Sequence, residues 1–167
     1  MEYQINAVNV FSYSSENCRG WLQVLQQEKV PYRCHTDLAS RITIFPNEFP
    51  KEGYEYVRKG GIAILEKPGE LDKLGLKPQG EAVISRFYFP LDGDNVINAP
   101  SIVDIYHGRG YGHFIVHEER LIKYGIKLGY HHLVLEVPWG KGFFFIFSTK
   151  ISKHLLYHGD TLRRFST

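Results

Sequence analysis

Short apolar runs alternate with stretches of helical periodicity along the first part of the chain. A helix is predicted over residues 17–28, where Trp21, Leu22 and Leu25 share one face, and a shorter helix over 51–58. Strands that are apolar throughout are typical of a parallel sheet covered on both faces, and alternation with helices favours an open α/β sheet. The runs that predict strands are 5–11, 32–35, 42–45 and 62–65.

The pattern changes after Glu66, where strands predominate. Residues 67–80 are rich in glycine, proline and charge and predict a loop with at most one helical turn. Residues 113–130 permit either a strand or a helix. The other predicted elements are strands over 82–89 and 102–106, a turn-rich excursion over 90–100, a glycine-rich loop over 107–112, a hairpin of 133–137 with 143–147, and a closing helix over 151–165.

Together these elements predict a single α/β domain over residues 1–167. Residues 1–66 would form its βαβ-type half, and residues 67–167 a strand-rich half with the closing helix. We expect an open, mostly parallel sheet with helices on both faces and a C-terminal antiparallel hairpin.

Composition narrows the classes of function. The 167 residues include 20 Lys and Arg against 18 Asp and Glu, a net charge of +2. Because a nucleic-acid binder usually carries a basic stripe, no nucleic-acid partner is expected. No apolar stretch reaches the ~18 residues of a membrane-spanning helix, and the first residues lack the features of a secretion signal. Two cysteines are too few for a disulfide framework, so we expect a reduced, cytoplasmic protein.

The carboxyl ends of the predicted strands supply the first candidate binding site. In open α/β sheets, ligands bind beyond these ends. Glu66 is also a candidate catalytic carboxylate, the alternative being a solvated loop residue. The residues expected to share this rim are Ser12, Tyr13, Ser14, Asn47 and Glu66.

The glycine-rich loop over 107–112 is a second candidate site. It begins like a phosphate-cradling loop, but the full G-x-G-x-x-G pattern fails because a histidine stands where the third glycine is required. We therefore expect no nucleotide and no other cofactor. The candidate binding residues of the loop are His107, Arg109 and Tyr111.

His113 and His117 are the candidate metal ligands, and His113 is also a candidate catalytic residue. On a helix, their four-residue spacing would bring both imidazoles within reach of one Zn²⁺. On a strand they would lie about 13 Å apart at ~3.3 Å per residue, too far for one ion. The H-E-x-x-H pattern fails because phenylalanine follows His113, so ordinary surface or hydrogen-bonded histidines are the simpler interpretation.

Cys18 is the candidate nucleophile. It lies in the first turn of the first predicted helix, where the helix dipole would lower the pKa of its thiol, and His35 would lie near it. The alternative, which we favour, is a small residue packed against the sheet. Cys34 lies within a predicted strand and is interpreted as core.

Aromatic residues make up 14% of the chain, and rings on loops could stack on sugars. Most others, particularly those of 143–147, are expected to fill the core. The aromatic residues predicted on loops are Tyr13, Tyr106, Tyr111 and Trp139.

Two segments carry a resemblance to a known family. They are Gly60-Gly61-Ile62-Ala63-Ile64-Leu65 and Trp139-Gly140-Lys141-Gly142-Phe143-Phe144-Phe145-Ile146-Phe147-Ser148. With the order of elements, they resemble class I glutamine-amidotransferase-like domains, in particular the variant fused ahead of the catalytic domain in some bacterial polysaccharide deacetylase-like proteins of surface-polysaccharide gene clusters. The resemblance implies a flavodoxin-like fold over nearly the whole chain.

The chain departs from this family at the catalytic position. Active members place a cysteine on a glycine-flanked elbow after a strand, paired with a histidine, because the elbow exposes the nucleophile and supplies backbone N–H groups. Here the strand over 62–65 runs into E-K-P-G, and neither cysteine stands in a complete G-x-C-x-G pattern. Amidotransferase activity is therefore not expected.

Three hypotheses follow from the sequence. The first is a non-catalytic accessory domain linked to bacterial surface-polysaccharide metabolism, which binds a carbohydrate or a partner protein. The second is a small hydrolase or deacetylase-related enzyme acting on a glycan or amide through Glu66 or a histidine of 107–117. The third is an interaction module that forms a homodimer through its aromatic hairpin.

Overall fold

The computed structural model describes residues 6–12, 18–47, 49–78, 80–88, 96–106, 111–116 and 131–150. Its helices are α1 (Arg19–Gln27) and α2 (Glu52–Arg58), and a single 3₁₀ turn covers Asp72–Leu74. Its strands are β1 (Val8–Val10), β2 (Tyr32–Cys34), β3 (Ile42–Phe45), β4 (Ile62–Glu66), β5 (Gly80–Tyr88), β6 (Val96–Ile105), β7 (Tyr111–Val116), β8 (His131–Trp139) and β9 (Gly142–Phe147).

The main sheet has the strand order β2-β1-β3-β4-β9-β8-β7. Neighbouring strands from β2 to β9 pair in parallel, whereas β9 with β8 and β8 with β7 are antiparallel. The described residues therefore confirm a mostly parallel α/β sheet with a C-terminal antiparallel hairpin. Strands β5 and β6 form a separate antiparallel ribbon.

The two helices cover opposite faces of the sheet, as predicted. Successive residues of a strand point to opposite faces. On β3, Ile44 accordingly packs with Trp21 of α1, while Phe45 packs with Tyr56 and Val57 of α2. This division explains why the central strands are apolar on both sides.

The G-K-G turn of the hairpin lies against the end of α2. Gly140 has φ 61°, a backbone conformation that favours glycine. A Cβ at Gly142 would lie 2.0 Å from the carbonyl oxygen of Gly61 and 2.4 Å from that of Val57. Glycine at 142 is therefore required for β9 to pair with β4.

Two sequence predictions need correction in the second half. The strand predicted over 102–106 begins earlier, at Val96, because β6 pairs with β5 along its length, and this pairing overrides the turn-rich composition of 96–100. Residues 111–116 form a strand, so the loop predicted over 107–112 does not include Tyr111 and Gly112. The predicted loop with its single turn is confirmed over 67–78, whereas Gly80 already belongs to β5. The closing helix predicted over 151–165 lies outside the described residues.

Neither α1 nor α2 is long and apolar enough to cross a membrane, and the same holds for any other helix in the described part of the chain.

Candidate functional site

The carboxyl ends of five parallel strands meet at one edge of the sheet, as predicted. The segments that follow β3 and β4 at this edge enclose a cleft of about 430 Å³, which falls within the ~300–1,000 Å³ of typical small-molecule sites. The residues that line the cleft are Phe45, Asn47, Phe49, Tyr54, Leu65, Glu66, Pro68, Glu70 and Leu71.

Aromatic rings form one wall of the cleft, with Phe49 at its centre. The Phe49 ring centroid lies 5.0 Å from those of Phe45 and Tyr54 and 5.4 Å from that of Phe144, all edge-on. Edge-to-face packing is a favourable geometry for aromatic pairs. Gly53 of α2 leaves room for this ring, because a Cβ there would lie 2.4 Å from Phe49 Cζ.

Tyr54 connects the aromatic wall to the β8–β9 hairpin. Its ring packs against Trp139 at 6.0 Å, and its backbone carbonyl accepts a hydrogen bond from Trp139 Nε1 at 3.2 Å. Lys73 Nζ lies 4.9 Å from the centroid of the Tyr54 ring. Burial, and then the nearby Asp72 carboxylate, raise the pKa of Tyr54. The phenol therefore keeps its proton at neutral pH and can donate a hydrogen bond.

The polar groups of the cleft are one amide and two carboxylates. Asn47 and Glu70 are exposed, whereas Glu66 is only 2% exposed. Oε1 of Glu66 accepts a hydrogen bond from Trp21 Nε1 at 2.9 Å. The interpretation of Glu66 as a solvated loop residue is therefore wrong, since it ends β4 and connects α1 to the base of the cleft.

An ion-pair cluster, in which Asp104 is buried and Glu81 is exposed, holds the loop after β4, which forms one side of the cleft. Lys67 Nζ lies 3.1 Å from a carboxylate oxygen of Glu81 and 3.2 Å from one of Asp104. Burial alone would lower the pKa of Lys67, but these two carboxylates outweigh it and raise that pKa. The Tyr106 hydroxyl donates to the Gly69 carbonyl at 2.8 Å. The β5–β6 ribbon thus anchors this loop.

Cys18 lacks the environment of an activated nucleophile. It is the N-cap of α1 and is 1% exposed, with its Sγ 3.8 Å from that of Cys34. Burial, followed by the neighbouring Cys34, raises the pKa of Cys18 to about 11. The expectation that the helix dipole lowers this pKa is therefore wrong, because desolvation outweighs the dipole. His35 is exposed, and its backbone N–H donates to the Asn9 side chain at 3.0 Å.

The structure brings together only part of the predicted rim. Asn47 and Glu66 line the cleft. Ser12 is instead buried after β1, where its carbonyl oxygen lies 3.9 Å from Cys34 Sγ. Other rim residues, together with most of the predicted loop site, lie outside the described residues. These are Tyr13 and Ser14 of the rim and His107 and Arg109 of the loop, and the candidate metal ligand His117 also lies outside the described residues.

His113 lies in strand β7. Of the two alternatives for this segment, the structure therefore has the strand at His113, and not the helix that a metal site with His117 would require. Within the segments that the structure describes, no group of three or more His, Cys, Asp or Glu side chains could hold a metal ion.

Sequence reasoning missed Phe49, Tyr54 and Glu70. It favoured Tyr106 and Trp139 as aromatic contacts, but Tyr106 is 3% exposed and Trp139 is half-buried. Neither ring therefore offers an open platform. A usable signal was present in the sequence, since the segment that follows β3 carries Phe49 between two prolines at the ligand-binding end of the sheet.

A scan of the sequence against models of known protein families finds no match, and a search of curated proteins finds none either. Solved structures do share the fold. The chain is similar to the exo-β-1,4-mannosidase Op5Man5 from Opitutaceae bacterium strain TAV5, with TM-score 0.60 and 13% identity over 95% of this chain and 34% of that one.

Two further similar structures are a carbohydrate deacetylase and a β-galactosidase. Agd3, a carbohydrate deacetylase, gives TM-score 0.60 and 10% identity over 96% of this chain and 32% of that one. A β-galactosidase from Rahnella sp. R3 gives TM-score 0.53 and 9% identity over 99% of this chain and 32% of that one. At these identities the likeness shows the fold alone. The chain spans about a third of the length of each of these proteins.

Proposed function

We propose that this chain is a non-catalytic, amidotransferase-like accessory domain that binds a carbohydrate in the cleft at the carboxyl ends of β3 and β4, in the context of bacterial surface-polysaccharide metabolism. The observation that carries the proposal is the cleft itself, which sets aromatic rings beside an amide and two carboxylates. The fold also recurs within a mannosidase, a β-galactosidase and a carbohydrate deacetylase, which supports a carbohydrate ligand.

The lining of the cleft suits the two kinds of surface that a sugar presents. Aromatic rings such as Phe49 and Tyr54 offer apolar surface to the C–H face of a pyranose. Asn47 can both donate and accept hydrogen bonds, and the Glu70 carboxylate accepts them from hydroxyl groups. Because Asn47 and Glu70 are both exposed, they are available to a ligand that enters from solvent.

Binding without catalysis is favoured by the state of the candidate nucleophiles. An active cysteine needs a lowered pKa and an adjacent base, whereas the pKa of Cys18 is raised to about 11. Glu66 is buried and accepts the Trp21 N–H. The hydrogen bond from Trp21 orients the Glu66 carboxylate toward α1.

A binding screen with matched variants tests the proposal. The protein is screened against a panel of neutral, acidic and amino-sugar oligosaccharides, and the best ligand is measured by isothermal titration calorimetry. Asn47→Ala and Glu70→Ala should each weaken binding about 5- to 10-fold, the value of one hydrogen bond of ~1 kcal/mol. Glu52→Gln, an exposed change on α2 outside the cleft, should leave the affinity unchanged.

The same screen can contradict the proposal in two ways. Equal affinity in wild type and both cleft variants would place the ligand elsewhere. If the protein cleaves an oligosaccharide or removes its N-acetyl groups, and Glu66→Gln abolishes this activity, the hydrolase or deacetylase hypothesis is favoured instead.

Homodimerisation is a second candidate function, favoured by one observation. Phe143 and Phe145 of β9 are only half-buried and pack edge-on at 5.1 Å, on the sheet face opposite α2. Light scattering over a range of concentrations tests it. If the mass of the wild-type protein rises to twice the monomer mass with concentration and Phe145→Ser keeps the monomer mass, the dimer is supported. A wild-type protein that keeps the monomer mass at all concentrations would contradict it.

A further inference from the structure

Two thiols that the proposed function does not use lie in contact at the edge of the sheet. Cys18 caps α1 and Cys34 ends β2, and their Sγ atoms are 3.8 Å apart across 16 positions of sequence. The sulfurs of a disulfide lie about 2.0 Å apart. Closing the gap therefore takes a shift of roughly 1.8 Å.

We propose that Cys18 and Cys34 form a reversible modification site, an intramolecular disulfide made by exchange with a small-molecule disulfide such as oxidised glutathione. The two residues come from neighbouring elements, since β2 is the edge strand next to β1 and α1 packs on the same side. The bridge would therefore join the start of α1 to the edge of the sheet without rearranging the fold.

The two cysteines differ in access, and this sets the order of events. Cys34 is half-buried, whereas Cys18 is 1% exposed. The Cys34 thiolate attacks the small disulfide, forms a mixed disulfide and releases one small thiolate. Cys18 then loses its proton and attacks Cys34 Sγ, which forms the protein disulfide and expels the second small thiolate. The protein thiols are thus oxidised by two electrons, and the small disulfide is reduced to two thiols.

The environment of Cys18 determines the speed of the second step. Burial raises the pKa of Cys18, and it continues to do so when Cys34 is bonded to the small thiol, so only a small fraction of Cys18 is thiolate near neutral pH. The proximity of Cys34 compensates for this scarcity, since the attack is intramolecular. The rate of closure should rise about tenfold per pH unit between pH 7 and 9.

Mass spectrometry of the full chain tests the proposal. Reduced protein is incubated with oxidised glutathione, quenched in acid, alkylated and weighed. Wild type should lose the mass of two hydrogen atoms and carry neither glutathione nor alkyl groups. Cys18→Ser should stop with glutathione on Cys34, and Cys34→Ser should react at least tenfold more slowly, because only the buried thiol is left. A dithiol reductant should restore both thiols in wild type.

Thermal unfolding gives an independent measurement. The oxidised wild type should melt about 5–10 °C above the reduced form, because a loop of this length restricts the unfolded chain. The same oxidant should give no such rise in Cys18→Ser or Cys34→Ser. If Cys18→Ser fails to fold, Cys18→Ala takes its place.

Three results would overturn the proposal. In the first, the wild-type protein still has two alkylatable thiols under conditions that fully glutathionylate Cys18→Ser. In the second, the wild-type protein stops at the mixed disulfide at every pH from 7 to 9. In the third, covalent dimers form in place of the monomeric disulfide.

Discussion

Replacing Gly53 with alanine tests whether the aromatic wall of the cleft is rigid. Gly53 lies in the first turn of α2, where alanine would normally stabilise a helix by at most about 1 kcal/mol. Here the new Cβ would lie 2.4 Å from Phe49 Cζ and 2.5 Å from its Cε1. The ring cannot move away freely, because it packs against three other rings at 5.0–5.4 Å.

Packing outweighs helix propensity in this comparison. Overfilling a packed site costs about 1–3 kcal/mol, and each aromatic contact that is lost costs a further ~0.5–1.5 kcal/mol. We therefore expect Gly53→Ala to lower the free energy of unfolding by about 1–3 kcal/mol, measured by urea denaturation. It should also weaken oligosaccharide binding in calorimetry, since Phe49 would be displaced into the cleft.

The matched control places the same substitution in a Phe49→Leu background. Leucine removes the ring atoms that meet the new Cβ, so Gly53→Ala should be neutral or slightly stabilising there. Stabilisation by about 1 kcal/mol in both backgrounds would refute the reasoning, because it would mean that the Phe49 ring yields without cost.

Three other substitutions test separate parts of the account. Gly142→Ala puts a Cβ 2.0 Å from the Gly61 carbonyl oxygen and should cost more than about 3 kcal/mol in urea; a loss under ~1 kcal/mol would contradict the close approach of β9 to β4. Trp21→Phe removes the N–H that donates to Glu66 and should lower the free energy of unfolding by about 2 kcal/mol. Glu66→Gln should lower it by less, because the amide oxygen still accepts this hydrogen bond. A larger loss in Glu66→Gln than in Trp21→Phe would contradict the role of this bond. Because the pKa of Cys18 rises from 9.0 to about 11 on folding, the native state keeps a proton that the unfolded chain releases above pH 9. Stability should therefore fall by about 2 kcal/mol between pH 9 and 11, and an equal fall in Cys18→Ala would count against this cause.

The parallel part of the sheet could be predicted because its strands are apolar along their whole length. The runs over 42–45 and 62–65 correspond to β3 and β4, each buried between a helix on either side. The antiparallel ribbon was predicted less well. The first half of β6 contains Asn98 and Pro100, which favour turns, yet it is held as a strand by β5. Such a partner leaves no local signal in the sequence.

The cleft was predictable only where a general rule applied. The rule that ligands bind at strand carboxyl ends identified Asn47 and Glu66. The aromatic wall depends on packing between distant parts of the chain, since Phe49 is positioned by Phe144 and Tyr54 by Trp139. The pKa of Cys18 was predicted in the wrong direction for a related reason. The helix dipole can be inferred from sequence, but the burial that outweighs it cannot.

The central claim is that the cleft binds a carbohydrate without transforming it. The most direct measurement is a nuclear magnetic resonance titration of isotope-labelled protein with the tightest-binding oligosaccharide, followed by analysis of the recovered sugar. The account predicts amide shifts concentrated at residues 45–49, 54 and 66–71, with the sugar recovered intact. Shifts centred on the hairpin strands, or conversion of the oligosaccharide to product, would contradict it.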